Sequence, residues 1–297
     1  MNVHPSKPAP THSFSVAKGL ALETYRFLSQ PLRQYLTQRQ RAQARARVMA
    51  YFYHRVGTTA DSPLTSPIDT FRRQIDYLRD RYEMVSLDQS LQRIRQGNYS
   101  PSAHITFDDG YADNCSDALP YLIANRVPTT YFVSSWHILT GNPFEHDLRL
   151  GHRFAVNTPQ QIRAMSDAGI EIGSHTRRHI DLGTITDEGT LRDEIIGSKH
   201  ELEDMTGRAV RYFAFPFGTP KQLTPAAIRI VREAGYEAFC SAFGGYNFPG
   251  DDPFHVQRIH GDNEMPRFKN WATMDPRKIG IRLHIPPCAV ETVTTQI

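Results

Sequence analysis

Short apolar runs alternate along this chain with segments whose apolar positions recur every three or four residues. The run at 48–53 (Val-Met-Ala-Tyr-Phe-Tyr) predicts a buried strand. Residues 68–81 place Phe71, Ile75 and Leu78 at helical spacing, and Ser66 before Pro67 suits a helix start. A short strand near Met84-Val85, a helix over 87–95 and a strand over 103–107 come next. The pattern then predicts helix at 113–125, strand at 129–133, helix at 159–168, strand at 170–172 and helix at 187–205, stopped by Gly207. Strand 210–215, helix 225–234 ended by Gly235, strand 237–241 and a strand near 256–259 complete the series. Alternation on this scale means a parallel sheet, open or closed into a barrel. In both, chemistry collects where strands end and loops begin.

The segments outside this series differ in composition. Residues 1–15 are rich in Pro, Ser and His and are expected to be disordered. Residues 18–47 carry Lys18, Arg26, Arg33, Arg39, Arg41, Arg45 and Arg47 against one acid, Glu23. Apolar residues such as Leu20, Leu22, Phe27, Leu28, Leu32 and Leu36 are interleaved, suggesting a helix broken near Pro31. A basic amphipathic segment suits either peripheral contact with an anionic membrane or solvated packing on a domain. The expected organisation is therefore an N-terminal extension at 1–47, a catalytic domain at 48–262 and a C-terminal tail at 263–297.

Composition narrows the function. A chain of 297 residues with 39% hydrophobic and 22% charged content has enough core for one large soluble domain. A net charge of +3 gives no global field that would select nucleic acid. No apolar run approaches the roughly 18–20 residues of a membrane span, and the polar, Pro-rich start does not read as a signal peptide. Cys115, Cys240 and Cys288 are far apart, as ordinary thiols of a reducing compartment would be. A cytoplasmic location, at the inner membrane face if the basic segment binds there, is the expectation.

The chemistry lies at two strand ends. Thr106-Phe107-Asp108-Asp109-Gly110 puts adjacent carboxylates after one strand, and Ser174-His175-Thr176-Arg177-Arg178-His179 puts two imidazoles after another. One carboxylate and two imidazoles form a catalytic zinc set with an open position for water, and the remaining carboxylate is free to act as a base. The residues alone do not say which Asp does which. Phe213-Ala214-Phe215-Pro216-Phe217-Gly218 ends a third strand in a tight turn, which can aim a backbone N–H at a developing oxyanion.

These three motifs, in this order, resemble those of the NodB-type polysaccharide deacetylases (carbohydrate esterase family 4). The similarity extends to Tyr53-His54-Arg55-Val56 and to the lead-in from Ser66 to Asp88, and covers about residues 48–261. The resemblance implies a distorted (β/α) barrel with parallel strands and outer helices, acting on an N-acetylated carbohydrate. It implies Asp109, His175 and His179 as ligands of Zn²⁺ or another divalent metal, Asp108 as base and the Phe217 N–H as oxyanion donor. The proton for the leaving amine falls to His54, favoured because the permuted entry motif matches, or to His260. The chain departs from the family at Ala214, where an arginine usually orients the catalytic Asp. Arg258 at another strand end is the candidate replacement, with Arg211 the weaker one. Two other readings stay open: a degenerate barrel serving as a carbohydrate-binding scaffold, and a hydrolase of another acetyl ester or amide.

Overall fold

The structure, a computed structural model, describes residues 16–58 and 62–281. Residues 1–15, including the segment expected to be disordered, lie outside the described residues, as does Cys288.

Ten strands are present among the described residues: β1 Val48–Tyr53, β2 Arg55–Gly57, β3 Thr65–Pro67, β4 Glu83–Met84, β5 Ser102–Phe107, β6 Thr129–Val133, β7 Glu171–Ser174, β8 Tyr212–Ala214, β9 Ala238–Ser241 and β10 His255–His260. Seven of them close a barrel in the order β1-β10-β9-β8-β7-β6-β5, and β5 returns to β1. Every pairing in the barrel is parallel. β4 pairs with Ser102 and Ala103, below the point where β6 joins β5, and β2 and β3 form a separate two-stranded piece. The fold is thus the distorted parallel barrel with outer helices that the motifs imply.

The helices are α1 Val16–Leu28, α2 Gln30–Ala42, α3 Ile68–Arg79, α4 Leu87–Gln96, α5 Ala118–Ala124, α6 Ser135–Thr140, α7 Glu145–Arg149, α8 Pro159–Asp167, α9 Glu188–Arg192, α10 Ser198–Thr206, α11 Pro225–Glu233, α12 Met265–Ala272 and α13 Pro276–Ile279. A π-helical turn, Asp193–Gly197, links α9 to α10. The helix expected at 113–125 is divided into a 3₁₀ turn, Ala112–Cys115, and α5.

The strands are buried on both sides, which explains why they read as continuous apolar runs. Their outward residues, such as Tyr51, Ile105, Tyr131 and Phe213, join one large core under the helices. Alternate residues, including Ala50, Phe132, Ala214, Ala238, Cys240 and Val256, form a second cluster inside the barrel. Small residues predominate there because a seven-stranded barrel has a narrow interior. Leu87 and Leu91 of α4 complete that cluster.

Residues 263–281 differ from the expected tail. Phe268 of α12 is fully buried and packs on Tyr51 with ring centroids 5.1 Å apart. The extension before β1 is likewise tied to the domain. Arg33 donates to the Asn270 carbonyl (3.0 Å), Asn270 Oδ1 (2.7 Å) and the Thr273 carbonyl (2.8 Å).

Two buried imidazoles, His104 and His255, and the partly buried His260 make stability depend on pH. His104 faces the barrel interior between the Val85 carbonyl (2.8 Å) and the Thr130 hydroxyl (3.0 Å). Burial pushes it from 6.5 down to about 4, and His255 and His260 are lowered to about 4 by the same cause. The unfolded chain therefore takes up protons below about 6.5 that the folded chain refuses until about 4. Stability is full above that window and falls as pH drops through it, by about 3 kcal/mol for His104. Urea unfolding at about pH 7.5 and about pH 5 should show the loss, and a His104→Gln variant should show a smaller one.

Candidate active site

The site stands at the C-terminal mouth of the barrel, because each motif lies just beyond a strand. β5 delivers Asp108, whose N–H is bound to the Tyr53 carbonyl of β1 at 2.9 Å, and Asp109 beside it. Gly110 lets the chain turn at φ 108°; a Cβ there would stand 2.9 Å from Val133 Cγ1 and 3.0 Å from Ile138 Cδ1. β7 delivers His175 and the loop to His179, and β8 delivers the turn at Phe217. In that turn the Gly218 N–H donates back to the Pro216 carbonyl at 2.7 Å.

Asp109, His175 and His179 converge, with one ligand atom of each lying within 4.8 Å of the others. His175 Nε2 lies 3.5 Å and His179 Nε2 3.2 Å from Asp109 Oδ1. Donors held ~2.1 Å from a tetrahedral ion stand ~3.4 Å apart, so this spacing matches a shared cation. The Asp109 carboxylate is 1% exposed, yet neither of its oxygens has a hydrogen-bond partner. Burial pushes Asp109 up, but the imidazoles of His179 and His175 outweigh it and hold the carboxyl well below its usual range. His179 is lowered by burial and raised more by Asp109. His175 Nδ1 is bonded to the Ala214 carbonyl at 2.8 Å, which turns Nε2 toward Asp109. The three residues therefore fit a divalent cation with nitrogen and oxygen donors.

Asp108 is set apart from this cluster by its partner. Arg258 of β10 crosses the interior and grips it from both sides, NH1 to Oδ1 at 2.6 Å and NH2 to Oδ2 at 2.8 Å. Arg258 is 0% exposed. Its NH1 also donates to Thr106 Oγ1 (3.0 Å) and its Nε to the Ser241 carbonyl (3.1 Å). Its guanidinium lies over Phe52 and Phe132, 4.8 Å and 5.4 Å from the ring centres. Burial raises Asp108, but Arg258 and His175 outweigh it, so the carboxyl stays ionised below its ordinary range. Arg211, the other candidate, pairs with Glu171 at 3.0 Å instead.

The two candidate acids separate. His54 follows β1, lines the cavity with Asp108, Asp109, His175 and His179, and has a buried Nδ1 without a partner. Burial lowers it, and Asp109 and Asp108 offset only part of that, so it stays below its usual value. The ring of His260 lies beyond Phe52 (5.0 Å) and His54 (6.0 Å) and is not part of the cavity wall. The cavity holds about 500 Å³, and Phe52, Pro63, Leu64, Leu150, Phe215 and Phe217 make its wall largely apolar. Phe217 is 53% exposed, and its N–H has no acceptor among the described residues.

Several features were not read from sequence. Non-glycine residues with positive φ among the described residues are Ala44, Asp109, Arg126, Thr176, His179 and Phe217, and four of these belong to the site. Backbone held in this region costs about 1–3 kcal/mol per residue and persists only where its surroundings enforce it. Here Glu194, 1% exposed in the π-helical turn, accepts from the Arg177 N–H (3.0 Å) and the Arg178 N–H (2.8 Å). The only sequence signal for Glu194 is an acid placed on an otherwise apolar helix face. His146 also enters the cavity wall, 5.3 Å from the His179 ring. Asp147 in α7 is buried and accepts from Tyr111 Oη at 2.7 Å. The loop that carries it is built from α6 and α7, with His137 packed on Phe144 at 4.1 Å.

Residues 96–239 match the polysaccharide deacetylase family model, a span that includes Asp108, Asp109, His175, His179 and Phe217 but not His54 or Arg258. YxkH of Bacillus subtilis, which carries that family's name, is 26% identical over 196 residues, 65% of this chain and 63% of YxkH. A chitooligosaccharide deacetylase of Bradyrhizobium is 29% identical over 119 residues, 39% of this chain and 46% of that protein. The chain thus spans less than two thirds of the length of these relatives. Among solved structures, IcaB of Ammonifex degensii superposes with a TM-score of 0.66 at 23% identity, over 77% of this chain and 97% of IcaB.

Proposed function

The chain belongs to the polysaccharide deacetylase family through residues 96–239, and on that premise we propose that it is a metal-dependent hydrolase of N-acetyl groups on an amino sugar or glycan. The observation that carries this reading is the pairing of two separately organised carboxylates. Asp109 has bare oxygens facing two imidazoles, and Asp108 is clamped by Arg258.

In this reading Asp109, His175 and His179 hold the cation, Zn²⁺ in the first instance. A divalent cation there supplies Lewis acidity toward a water and toward the acetyl carbonyl. Asp108 takes the proton of the attacking water, using the lone pairs that Arg258 leaves open. Arg258 acts as a positioning residue. The Phe217 N–H donates to the oxyanion that develops on the carbonyl oxygen. His54 gives a proton to the amine as the carbon–nitrogen bond breaks, so that acetate and a free amine result. The apolar wall around Phe52, Leu64 and Phe215 receives the acetyl methyl group. For location, the reading is peripheral contact with a membrane through residues 18–47; no described helix is long and apolar enough to cross one.

The test is metal analysis combined with acetate release. The protein should bind about one zinc, following the three-ligand set, and release acetate from chitooligosaccharides or poly-N-acetylglucosamine. His175→Ala should lower metal affinity by more than the ~10–100-fold typical of losing a mere supporting partner. An unchanged zinc-to-protein ratio in that variant would refute its role. Acetate released from acetyl esters but from no glycan would move the substrate class, and no hydrolysis despite bound zinc would favour a scaffold.

A further inference from the structure

We propose that the outward face of α1 and α2 is a docking surface for an anionic phospholipid bilayer. This deepens the membrane assignment above and does not depend on the deacetylase chemistry.

The two helices invert the usual amphipathic arrangement. Their inward side is held to the domain mainly by polar bonds, with Leu36 packed against the core. Arg33, 2% exposed, is bound to Asn270 and Thr273, Tyr25 Oη donates to Asp275 Oδ1 (3.0 Å), and Asn270 Nδ2 donates to the Leu22 carbonyl (2.9 Å). These bonds come from α12 and the segment after it, and they fix which side of the helices faces water. That side carries Val16, Leu20, Phe27, Leu28, Leu32 and Tyr35, with Phe27 76% and Leu28 71% exposed. Ser29 between the helices is itself helical (φ −85°, ψ −1°), so the stripe continues across the junction at helical spacing. Twelve large apolar side chains are exposed among the described residues, and half of them belong to this stripe. A concentration of that kind marks an interaction surface, whereas scattered exposed apolar residues do not.

Charge selects the occupant. Lys18, Arg39, Arg41 and Arg45 are exposed beside or beyond the stripe, and Glu23 is the only acid between residues 16 and 47. Glu23 is committed to Arg26 at 2.7 Å. An apolar stripe with basic flanks and no free acid matches an interfacial helix, whose apolar face enters the acyl boundary while its cations meet anionic headgroups. A second protein copy would bring the same positive charges face to face.

The test is sedimentation of the full chain with vesicles of phosphatidylcholine alone, or of phosphatidylcholine and phosphatidylglycerol in equal amounts. Binding is expected to the mixed vesicles, at least about tenfold weaker to the neutral ones, and weakened by salt as the ~10 Å screening length at 0.1 M shortens. Phe27→Glu/Leu28→Glu, and separately Leu32→Glu, should each lower binding about tenfold or more without changing the melting temperature, as expected of exposed positions. Arg39→Glu/Arg41→Glu should lower binding and flatten its salt dependence. Four results would overturn the proposal: no preference for the mixed vesicles; binding unaffected by the apolar substitutions; a dimer that Phe27→Glu/Leu28→Glu dissociates, with no lipid binding; or binding only after removal of residues 1–15, which would make that segment the natural cover. Vesicle binding is read without substrate, so a failure of acetate release leaves it standing.

Discussion

Replacing Asp108 by Asn is expected to cut acetate release by about 10²–10⁴-fold, the range a general base contributes, while the protein keeps its metal. Asn has nearly the same shape but cannot take a proton from water at neutral pH. The metal set should survive because two of the three proposed ligands are held by other groups, His175 by the Ala214 carbonyl and His179 by the Glu194-braced loop. Folding should survive too. Arg258 loses its strongest partner but keeps the Thr106 hydroxyl, the Ser241 carbonyl and two aromatic faces. Three readouts belong together: acetate release, zinc content and melting temperature. Wild-type rates in Asp108→Asn would remove Asp108 from the mechanism. A parallel loss of zinc would instead make it part of the metal site.

Replacing Arg258 by Met should produce the second largest effect, and a different one. The substitution fills space but leaves the Asp108 carboxylate buried without its bidentate partner. Breaking a buried pair from one side costs about 3–5 kcal/mol. Part of that is relieved if Asp108 takes up a proton. In the wild-type protein burial raises the carboxyl and Arg258, together with His175 and His54, outweighs it; without Arg258 the upward push of burial is opposed only by His175, His54 and the proposed cation. The sign follows directly: the acidic limb of the activity profile should move to higher pH, and part of the lost rate should return as pH is raised. A purely structural role would lower the rate at every pH alike. Arg258→Lys should rescue only in part, because an ammonium offers a point charge in place of the planar fork. Combining Arg258→Met with Asp108→Asn should be less destabilising than the sum of the two, since the orphaned charge is then absent.

How much of this could be read from the chain depends on the scale of the signal. Alternating apolar runs identified every barrel strand to within a few residues, because strands buried on both faces leave an unbroken apolar signature. Closure was not legible. Whether β5 returns to β1 is decided by register among distant strands, and both an open and a closed sheet fit the same pattern. The short pieces β2, β3, α6 and α7 were missed because they are too brief for a period to show. The C-terminal segment was read as a tail because α12 presents only Phe268, Asn270 and Ala272 to the interior, too few to stand out.

In the site, residue types at strand ends were enough to nominate the acids and imidazoles, since few side chains bind metals or move protons. Their conformations were not legible. Nothing in the identity of Thr176 or Phe217 announces a left-handed backbone; the surrounding bonds impose it. Arg258 carried a signal that was only partly usable. A guanidinium in the middle of a buried strand demands a partner, and alternation puts it on the same side of the wall as Ala50 and His104. Which carboxylate it meets depends on the barrel being closed.

That closure also has a consequence for the order of assembly. β1 lies between β5 and β10, so the first barrel strand to form waits for the last; Ala50 is registered against Arg258. Contacts so far apart in sequence make for slow, late-closing topologies. During synthesis, β1 and β5 can pair early, but the open edge of β1 stays bare until β10 arrives. The strand that seals the edge is also the one that brings the guanidinium to Asp108. Completion of the fold and organisation of the base are therefore a single kinetic event, and a refolding experiment should recover activity in its final phase, together with the loss of exposed strand edge and not before it.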